Sequence, residues 1–336
     1  MNPLKRVLVV GVGSIGERHA RCFLATNRAE VSICELNAEL RRTVAERYSF
    51  KQTFDDLPLA LADKPDVAVI CTPAHLHIPM AQAAAEAGVH VLIEKPLSTR
   101  LDGIETLEQQ FRSGKLAAGV AYVYRAHPVL TAMRNALHSG RFGEPLQLVA
   151  NGGQHFPFYR PAYREIYYKD RATGGGAVHD ALTHVINASE WLIGPADRLA
   201  ADIDHLALEG VTVEDTVHVL ARHGRVMASY SLNQHQAANE STISVVCRGG
   251  IVRFEYHANR WRWATEPGAD WHDETWPPLE RDALFVRQAE AFLDAVEGSA
   301  APLCTIHDGL QTLRVNLAIL ASAEQQTWQT IQRDNP

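Results

Sequence analysis

The chain lacks a basic surplus: 32 Lys+Arg stand against 39 Asp+Glu, a net charge of −7 with a pI of about 6.1. General nucleic-acid binding needs the opposite balance, so it is not expected. No stretch reaches the roughly 18 consecutive apolar residues that a membrane-spanning helix needs. Residues 1–6 lead straight into a strand-like run with no small-residue cleavage site behind a long apolar stretch, so no secretory leader is expected. The cysteines are few and scattered (Cys22, Cys34, Cys71, Cys247, Cys304), odd in number and without a Cys-x-x-Cys pair. That pattern argues against a disulfide framework and a zinc ribbon, and fits reduced thiols in a cytoplasmic protein. Internal repeats and low-complexity segments are also missing, which sets aside solenoids and disordered tails. What remains is an ordinary globular composition, 46% hydrophobic and 21% charged, over 336 residues, enough for two cores.

The first 120 residues alternate strand and helix, with strands near 6–10, 30–34, 67–72, 89–94 and 117–122 and helical patterns between them. Strands separated by helices of 10–15 residues imply a parallel, doubly wound sheet. From about residue 145 the runs become β-rich with short turns such as Arg222-His223-Gly224 and Arg248-Gly249-Gly250. Strands so close in sequence pair antiparallel, because a parallel crossover needs a dozen or more residues. One long helix from Gly176 to Gly194 interrupts them, and helices near 283–296 and 308–324 close the chain. The expected architecture is an α/β domain over 1–123 with a Rossmann-type sheet, then an α+β domain over 124–336 with a large, open, mostly antiparallel sheet. Such a sheet, with helices on one face only, leaves the other to be covered, which points to a homo-oligomer.

Val7–Val10 runs into Gly11-Val12-Gly13-Ser14-Ile15-Gly16. A strand, this glycine spacing and a following helix form the context of a dinucleotide fingerprint. The first glycine permits the tight turn, the second lets the backbone approach a pyrophosphate, and the third lets helix pack on strand. The N–H groups of Ser14 and Ile15 then open the helix toward the phosphates. The next strand ends at Glu35, nineteen residues past Gly16. A carboxylate there accepts ribose hydroxyls and repels a 2′-phosphate, favouring NAD over NADP, although Arg41 and Arg42 follow closely. Thr72 and Pro73 end a further strand and are expected to line the nicotinamide half of the crevice, with His77 just beyond. His75 and His77 have a metal-like spacing, read here as structural rather than ligating.

The buried run 89–93 delivers Glu94-Lys95-Pro96. A lysine at the carboxyl end of a strand in such a sheet projects into the ligand crevice. Downstream, Gly174-Gly175-Gly176 lets the chain pass close to a cofactor or substrate before a helix carrying His179, Asp180 and His184. Asp180 and His184, four apart, share a helical face, so one can tune the other or both can face a ligand. His179 diverges from them by about 100°, which counts against a three-residue metal site, and no metal is expected.

The glycine turn, Cys71-Thr72-Pro73, Ala87-Gly88, Glu94-Lys95-Pro96 and the Gly-Gly-Gly helix with Asp180 and His184 together resemble the Gfo/Idh/MocA family, named for glucose–fructose oxidoreductase and inositol dehydrogenase. The resemblance covers nearly the whole chain. It implies hydride transfer between NAD(P) and a secondary alcohol or ketone of a sugar, sugar derivative or cyclic polyol. It implies Lys95, Asp180 and His184 as the active site, Glu94 and Lys95 beside the cofactor, and a cis peptide before Pro96. It also implies a dimer or tetramer formed through the second sheet. On this reading His184 is the general base and Lys95 stabilises the developing negative charge, or the two exchange roles, while Asp180 fixes the substrate. Many relatives place Asp three residues after the histidine; here that residue is Asn187.

The segment 154–171 is dense in Tyr, Arg and His. Arg160, Tyr163 and Arg164, with Tyr122 and Arg125 after the last Rossmann strand, are candidate substrate contacts suited to a uronate, sugar phosphate or sugar nucleotide. A subunit-contact arm is the competing reading. Trp261, Trp263, Trp271 and Trp276 read as core or interface aromatics. Two other functions stay open: a lyase or glycosidase that oxidises its substrate transiently with no net NADH, and a non-catalytic ligand sensor. Retention of Lys95, Asp180 and His184 counts against the sensor.

Overall fold

The computed structural model describes residues 3–332, which fold into two compact units. In the first, strands β1 (Lys5–Val10), β2 (Ala29–Cys34), β3 (Thr53–Phe54), β4 (Val67–Ile70), β5 (His90–Ile93) and β6 (Ala118–Val120) alternate with helices α1 (Ser14–Ala25), α2 (Ala38–Tyr48), α3 (Leu57–Ala62), α4 (His77–Glu86) and α5 (Ile104–Gly114). All strand pairs are parallel, in the order β3-β2-β1-β4-β5-β6. This is the Rossmann order. The chain builds outward from β1 in one direction, then returns through β4 and builds in the other. The crevice opens at that switch point, beyond the carboxyl ends of β1 and β4. The strands are buried on both faces, as the near-continuous Val/Ile/Leu runs anticipate: Val7, Val9, Ile33, Val67 and Val69 form one core with Phe23 of α1.

The chain then runs through α6 (Pro128–His138), β7 (Pro145–Gly153), the single turn α7 (Phe156–Tyr159) and α8 (Thr183–Ile193). Strands β8 (Arg198–Asp204), β9 (Thr216–His223), β10 (Val226–Asn233), β11 (Glu240–Cys247), β12 (Gly250–Glu255), β13 (Arg260–Ala264) and β14 (His272–Thr275) follow. Helices α9 (Ala283–Val296) and α10 (Ile306–Gln325) and strand β15 (Gln329–Thr330) close the described residues. The nine strands join in the order β14-β13-β12-β11-β7-β10-β9-β8-β15; β7 and β10 pair parallel and the other neighbours antiparallel. Strands β9 and β10 alternate strictly: Val217, Val219, Ala221, Ala228, Tyr230 and Leu232 are buried, whereas Leu220 and Met227 on the other face are 58% and 54% exposed.

A buried polar ladder joins α8 to α10. Asn187 donates to the Thr312 hydroxyl (3.0 Å), Thr312 and Gln311 donate to the Glu190 carboxylate (2.7 and 2.9 Å), and Asn316 donates to Thr183 (2.8 Å). Asn187 therefore contributes to helix packing, and a carboxylate in its place would put a buried charge beside the half-buried Glu190.

The first compact unit runs to Ala126 and also takes in Glu280–Leu310. The cause is α9, whose Ala289, Phe292 and Leu293 complete the core around Val7 and Val9. A periodic apolar helix is visible in the sequence, but which core it fills is not. Phe292→Ala is expected to destabilise the first unit by about 3–5 kcal/mol, the usual cost of emptying a buried Phe site. Chemical denaturation monitored at each unit would then show the loss there; a wild-type midpoint would refute the assignment.

Candidate active site

The glycine turn is fixed by contact. Gly11 has φ of +81°, and a β-carbon on it would meet the Cys71 carbonyl and the Thr72 methyl at 3.1 Å. At Gly16 a β-carbon would fall inside the Gly11 carbonyl oxygen, so only glycine lets α1 lie on the turn. Gly13 faces open space, with nothing within 4 Å of where its β-carbon would be. It caps α1 without a side-chain acceptor, so the first N–H groups, at the exposed Ser14 and at Ile15, are left to a ligand. These features fit a dinucleotide pyrophosphate. Glu35 follows β2 and reaches back: its carboxylate accepts from Val12 N (3.0 Å) and from Asn37 N (2.9 Å). Arg41 donates to the Glu35 carbonyl and lies 3.9 Å from Asp55.

At the carboxyl end of β4, Thr72 is half-buried and Pro73 exposed. His77 behaves differently from its expected cofactor contact. It is 1% exposed, with Nδ1 2.9 Å from the Pro96 carbonyl and Nε2 2.8 Å from the Thr72 carbonyl, so the ring braces two loops. Burial pushes its pKa down, against the pull of those carbonyls and of Glu94. The neighbouring peptide Lys95-Pro96 is cis, as the resemblance implied.

Glu94 is also turned inward. One carboxylate oxygen lies 2.7 Å from His19 Nε2 on α1 and the other accepts from Lys95 N at 3.0 Å. His19 is fully buried. Sequence reading missed it, yet a signal existed: three residues past Gly16, it shares the helix face that the third glycine presses onto the sheet. Lys95 itself is half-buried at the end of β5.

Other substrate candidates in this unit are internal. Tyr122 is fully buried. Arg125, 6% exposed, donates to the Leu303 carbonyl (3.2 Å) and pairs with Asp308 at 3.3 Å. Its charge serves the packing of the returning segment, a partner that lies too far along the sequence to foresee.

In the second unit, Gly174 and Gly176 have φ of +97° and +89°. A β-carbon on Gly175 would strike the Tyr168 carbonyl and one on Gly176 the Glu214 carboxylate. Gly175 and Gly176 therefore make room for the protein's own groups. Glu214, 2% exposed, accepts from Val178 N (3.2 Å) and pairs with Arg171 (2.6 Å), while its carbonyl accepts from Ala177 N (2.9 Å). The helix that follows does not begin as a regular one: Val178–Leu182 form a π-turn before α8. Asp180 sits in the widened turn and His184 in α8, both half-buried, so the register of a regular helix does not hold across them. Tyr167 donates to the Asp180 carboxylate at 2.6 Å. Neither Tyr167 nor Glu214 was singled out from the sequence.

Of the loop residues proposed for substrate, Arg160 is exposed. Tyr163 is 1% exposed and packs with Phe156, Tyr168, Leu208, Val211 and Val213, its hydroxyl donating to the Glu209 carbonyl at 2.7 Å. Arg164 donates to the same carbonyl (2.8 Å) and lies over the Tyr163 ring. Tyr163 and Arg164 thus hold a local core, an outcome of three aromatics converging on one loop. Among the described residues no group of three or more metal-ligating side chains occurs, and none of the helices is long and apolar enough to cross a membrane.

This sheet order and glycine turn define an NAD-binding oxidoreductase fold. Residues 5–122 match the model of the oxidoreductase family with an NAD-binding Rossmann fold, and residues 130–253 match the Gfo/Idh/MocA C-terminal domain. The chain belongs to the Gfo/Idh/MocA family of oxidoreductases. It is 25% identical to a levoglucosan dehydrogenase of Pseudarthrobacter phenanthrenivorans, over 95% of this chain and 96% of that protein. It is likewise 25% identical to a UDP-N-acetylglucosamine 3-dehydrogenase of Acidithiobacillus ferrooxidans, over 94% of this chain and 95% of that one. A solved levoglucosan dehydrogenase in complex with NADH and levoglucosan has the same fold, with a TM-score of 0.89 at 22% identity over 98% of this chain and 100% of that one.

Asp215, beside Glu214, supplies a pH test of the second unit. It is fully buried; burial raises its pKa, but the N–H groups of Leu208, Ala207 and Leu206 and the Thr216 hydroxyl outweigh that and hold it below the ordinary carboxylate value. A depressed folded pKa stabilises the fold at pH above the unfolded value, and that contribution disappears as pH falls through the folded one. Asp215→Asn is expected to lower thermal stability at neutral pH and to flatten its decline on acidification. An unchanged slope below the carboxylate range would contradict this.

Proposed function

We propose that the protein is an NAD-dependent dehydrogenase or reductase acting on a secondary hydroxyl of a sugar, sugar derivative or cyclic polyol, with Lys95, Asp180 and His184 as its catalytic residues. The observation that carries this is the position of Lys95. It directly follows Glu94 at the carboxyl end of β5, in the same sheet whose β1 ends in the dinucleotide turn, with β4 alone between the two strands. Levoglucosan, inositol and N-acetylglucosamine, the substrates in the names of the relatives, share ring secondary hydroxyls.

Gly11, Gly13, Ser14, Ile15, Gly16, Glu35, Thr72, Pro73 and Lys95 are assigned to the cofactor, which when bound supplies the hydride acceptor or donor. His77 and Glu94 support that site from within the fold. Lys95 donates a hydrogen bond to the substrate oxygen and stabilises its developing charge, and His184 takes the hydroxyl proton near neutral pH. Asp180, oriented by the Tyr167 hydroxyl, fixes a neighbouring substrate hydroxyl. Arg160 is the remaining cationic candidate for a charged substrate group.

The cofactor preference follows from Glu35. Two backbone N–H groups hold its carboxylate at the end of β2, where it accepts ribose hydroxyls and repels a 2′-phosphate. Arg41, which donates to the Glu35 carbonyl and lies 3.9 Å from Asp55, softens that repulsion without removing it. The exposed Leu220 and Met227 on the uncovered sheet face support a homodimer or homotetramer formed there. The five buried, unbridged cysteines support a cytoplasmic location.

Purified protein incubated with NAD+ and hexoses, inositols, uronates or sugar nucleotides is expected to accumulate NADH with at least one of them. Lys95→Ala should lower kcat by about 100-fold or more. Wild-type turnover in that variant would remove Lys95 from the chemistry; tight NAD+ binding with substrate conversion but no net NADH would favour transient oxidation. Separately, Glu35→Ser should shift the NADP+/NAD+ ratio of kcat/KM by about tenfold or more toward NADP+, the scale of one lost charge repulsion. An unchanged ratio would refute the role given to Glu35.

A further inference from the structure

Helix α1 serves two places in the first unit. Its first turn leaves the N–H groups of Ser14 and Ile15 for the cofactor assigned to that turn, and His19, on the same helix, reaches the strand end that carries Lys95. His19 is fully buried and Glu94 is 5% exposed. Their contact is short, 2.7 Å from His19 Nε2 to one Glu94 oxygen, and the other oxygen accepts from Lys95 N at 3.0 Å. His19 Nδ1 is buried with no hydrogen-bond partner. A proton there would leave an unmet donor in the core, so the proton belongs on Nε2, where the carboxylate receives it. His19 is thus a donor to Glu94.

The ring is also held in place from its other side. Phe285 of α9 meets it edge-on, with the centroids 5.5 Å apart and the planes at 77°, and the Arg18 guanidinium lies 4.9 Å from the same Phe285 ring. Packing alone does not require an imidazole here: an apolar ring would fill the space without the cost of burying ring nitrogens. What the imidazole adds is a directed N–H. That bond fixes the end of the Glu94 side chain, and Glu94 in turn holds the Lys95 N–H. The pyrophosphate seat and Lys95 are thereby referenced to one helix. Reaction between bound groups tolerates little error in such spacing, since a misplacement of about 1 Å costs on the order of 100-fold in rate.

We propose that His19 is a positioning residue for the dehydrogenase reaction: through Glu94 it holds the Lys95 backbone at the spacing from the glycine turn that hydride transfer needs. This role rests on the assignment of Lys95 to the chemistry.

Two substitutions separate the bond from the packing. His19→Phe keeps a ring against Phe285 and has no donor, whereas His19→Gln loses the ring but brings an amide nitrogen to the place of Nε2. Hydrogen exchange at the Lys95 amide, read by NMR on the whole protein without substrate, should be about tenfold or more faster in His19→Phe, the scale of one bond to a charged group, and within about threefold of wild type in His19→Gln. Turnover is read with NAD+ and whichever hexose, inositol, uronate or sugar nucleotide gives NADH with the wild type. There kcat should fall about tenfold or more in His19→Phe and be largely restored in His19→Gln, while the NAD+ dissociation constant stays within about threefold in both. Should His19→Phe not fold, His19→Asn replaces it, because its amide reaches only as far as Nδ1. Equal losses in both variants would reduce His19 to packing, and wild-type exchange or wild-type kcat in His19→Phe would overturn the proposal. If no substrate gives NADH with the wild type, the dehydrogenase reading fails by itself, and the exchange rates still decide whether His19 holds Lys95.

Discussion

The fit of α1 against its own glycine turn is the constraint on which the first unit depends. Because Gly16 has no β-carbon, the helix lies on the Gly11 carbonyl. That contact sets the rotation and height of α1, and so brings His19 to Glu94 at 2.7 Å. Glu94 in turn holds the backbone N–H of Lys95. One steric condition at the turn is thus transmitted, over a single buried pair, to the residue proposed to touch the substrate oxygen. A methyl group at Gly16 would disturb both the pyrophosphate seat and the footing of Lys95.

The second unit uses a related device. Buried carboxylates satisfy backbone N–H groups where the chain turns sharply: Glu214 at the start of the π-turn, and Asp215 on the loop 206–208. Asp215 is held in its charged form because the N–H groups of Leu208, Ala207 and Leu206 and the Thr216 hydroxyl converge on it, which outweighs the cost of burial. Glu214 fills the space that the Gly176 side chain would need, so glycine and acid specify each other. The π-turn they initiate displaces Asp180 from regular helical register, and Tyr167 secures it there. Strain of this kind in a helix is often found where function requires a side chain to be aimed.

Much of this was legible in the sequence. Alternating strand and helix patterns specify the parallel sheet, since each strand reads as a short Val/Ile/Leu run bounded by turn residues. The glycine spacing, Glu35 and the Glu-Lys-Pro turn are local signals and lie where local reasoning puts them. What escaped depends on distant partners. Arg125 pairs with Asp308 of the returning segment, and Tyr163 is enclosed by Val211 and Val213, partners that no local pattern announces. The return of α9 to the first core is of the same type, because an amphipathic helix advertises that it will be buried but not against what. The buried Glu214 and Asp215 show the converse: polar residues with no motif around them prove to hold the turns of the second unit.

The central claim is that hydride passes between a nicotinamide and a ring carbon of the substrate. The most direct measurement is isotope transfer: a sugar or polyol substrate deuterated at the reacting C–H is incubated with NAD+, and the nucleotide is analysed by mass spectrometry. The account predicts one deuterium in the NADH formed, and its loss from the product. Product formed with the label absent from the nucleotide, or a substrate turned over without NAD+, would contradict it.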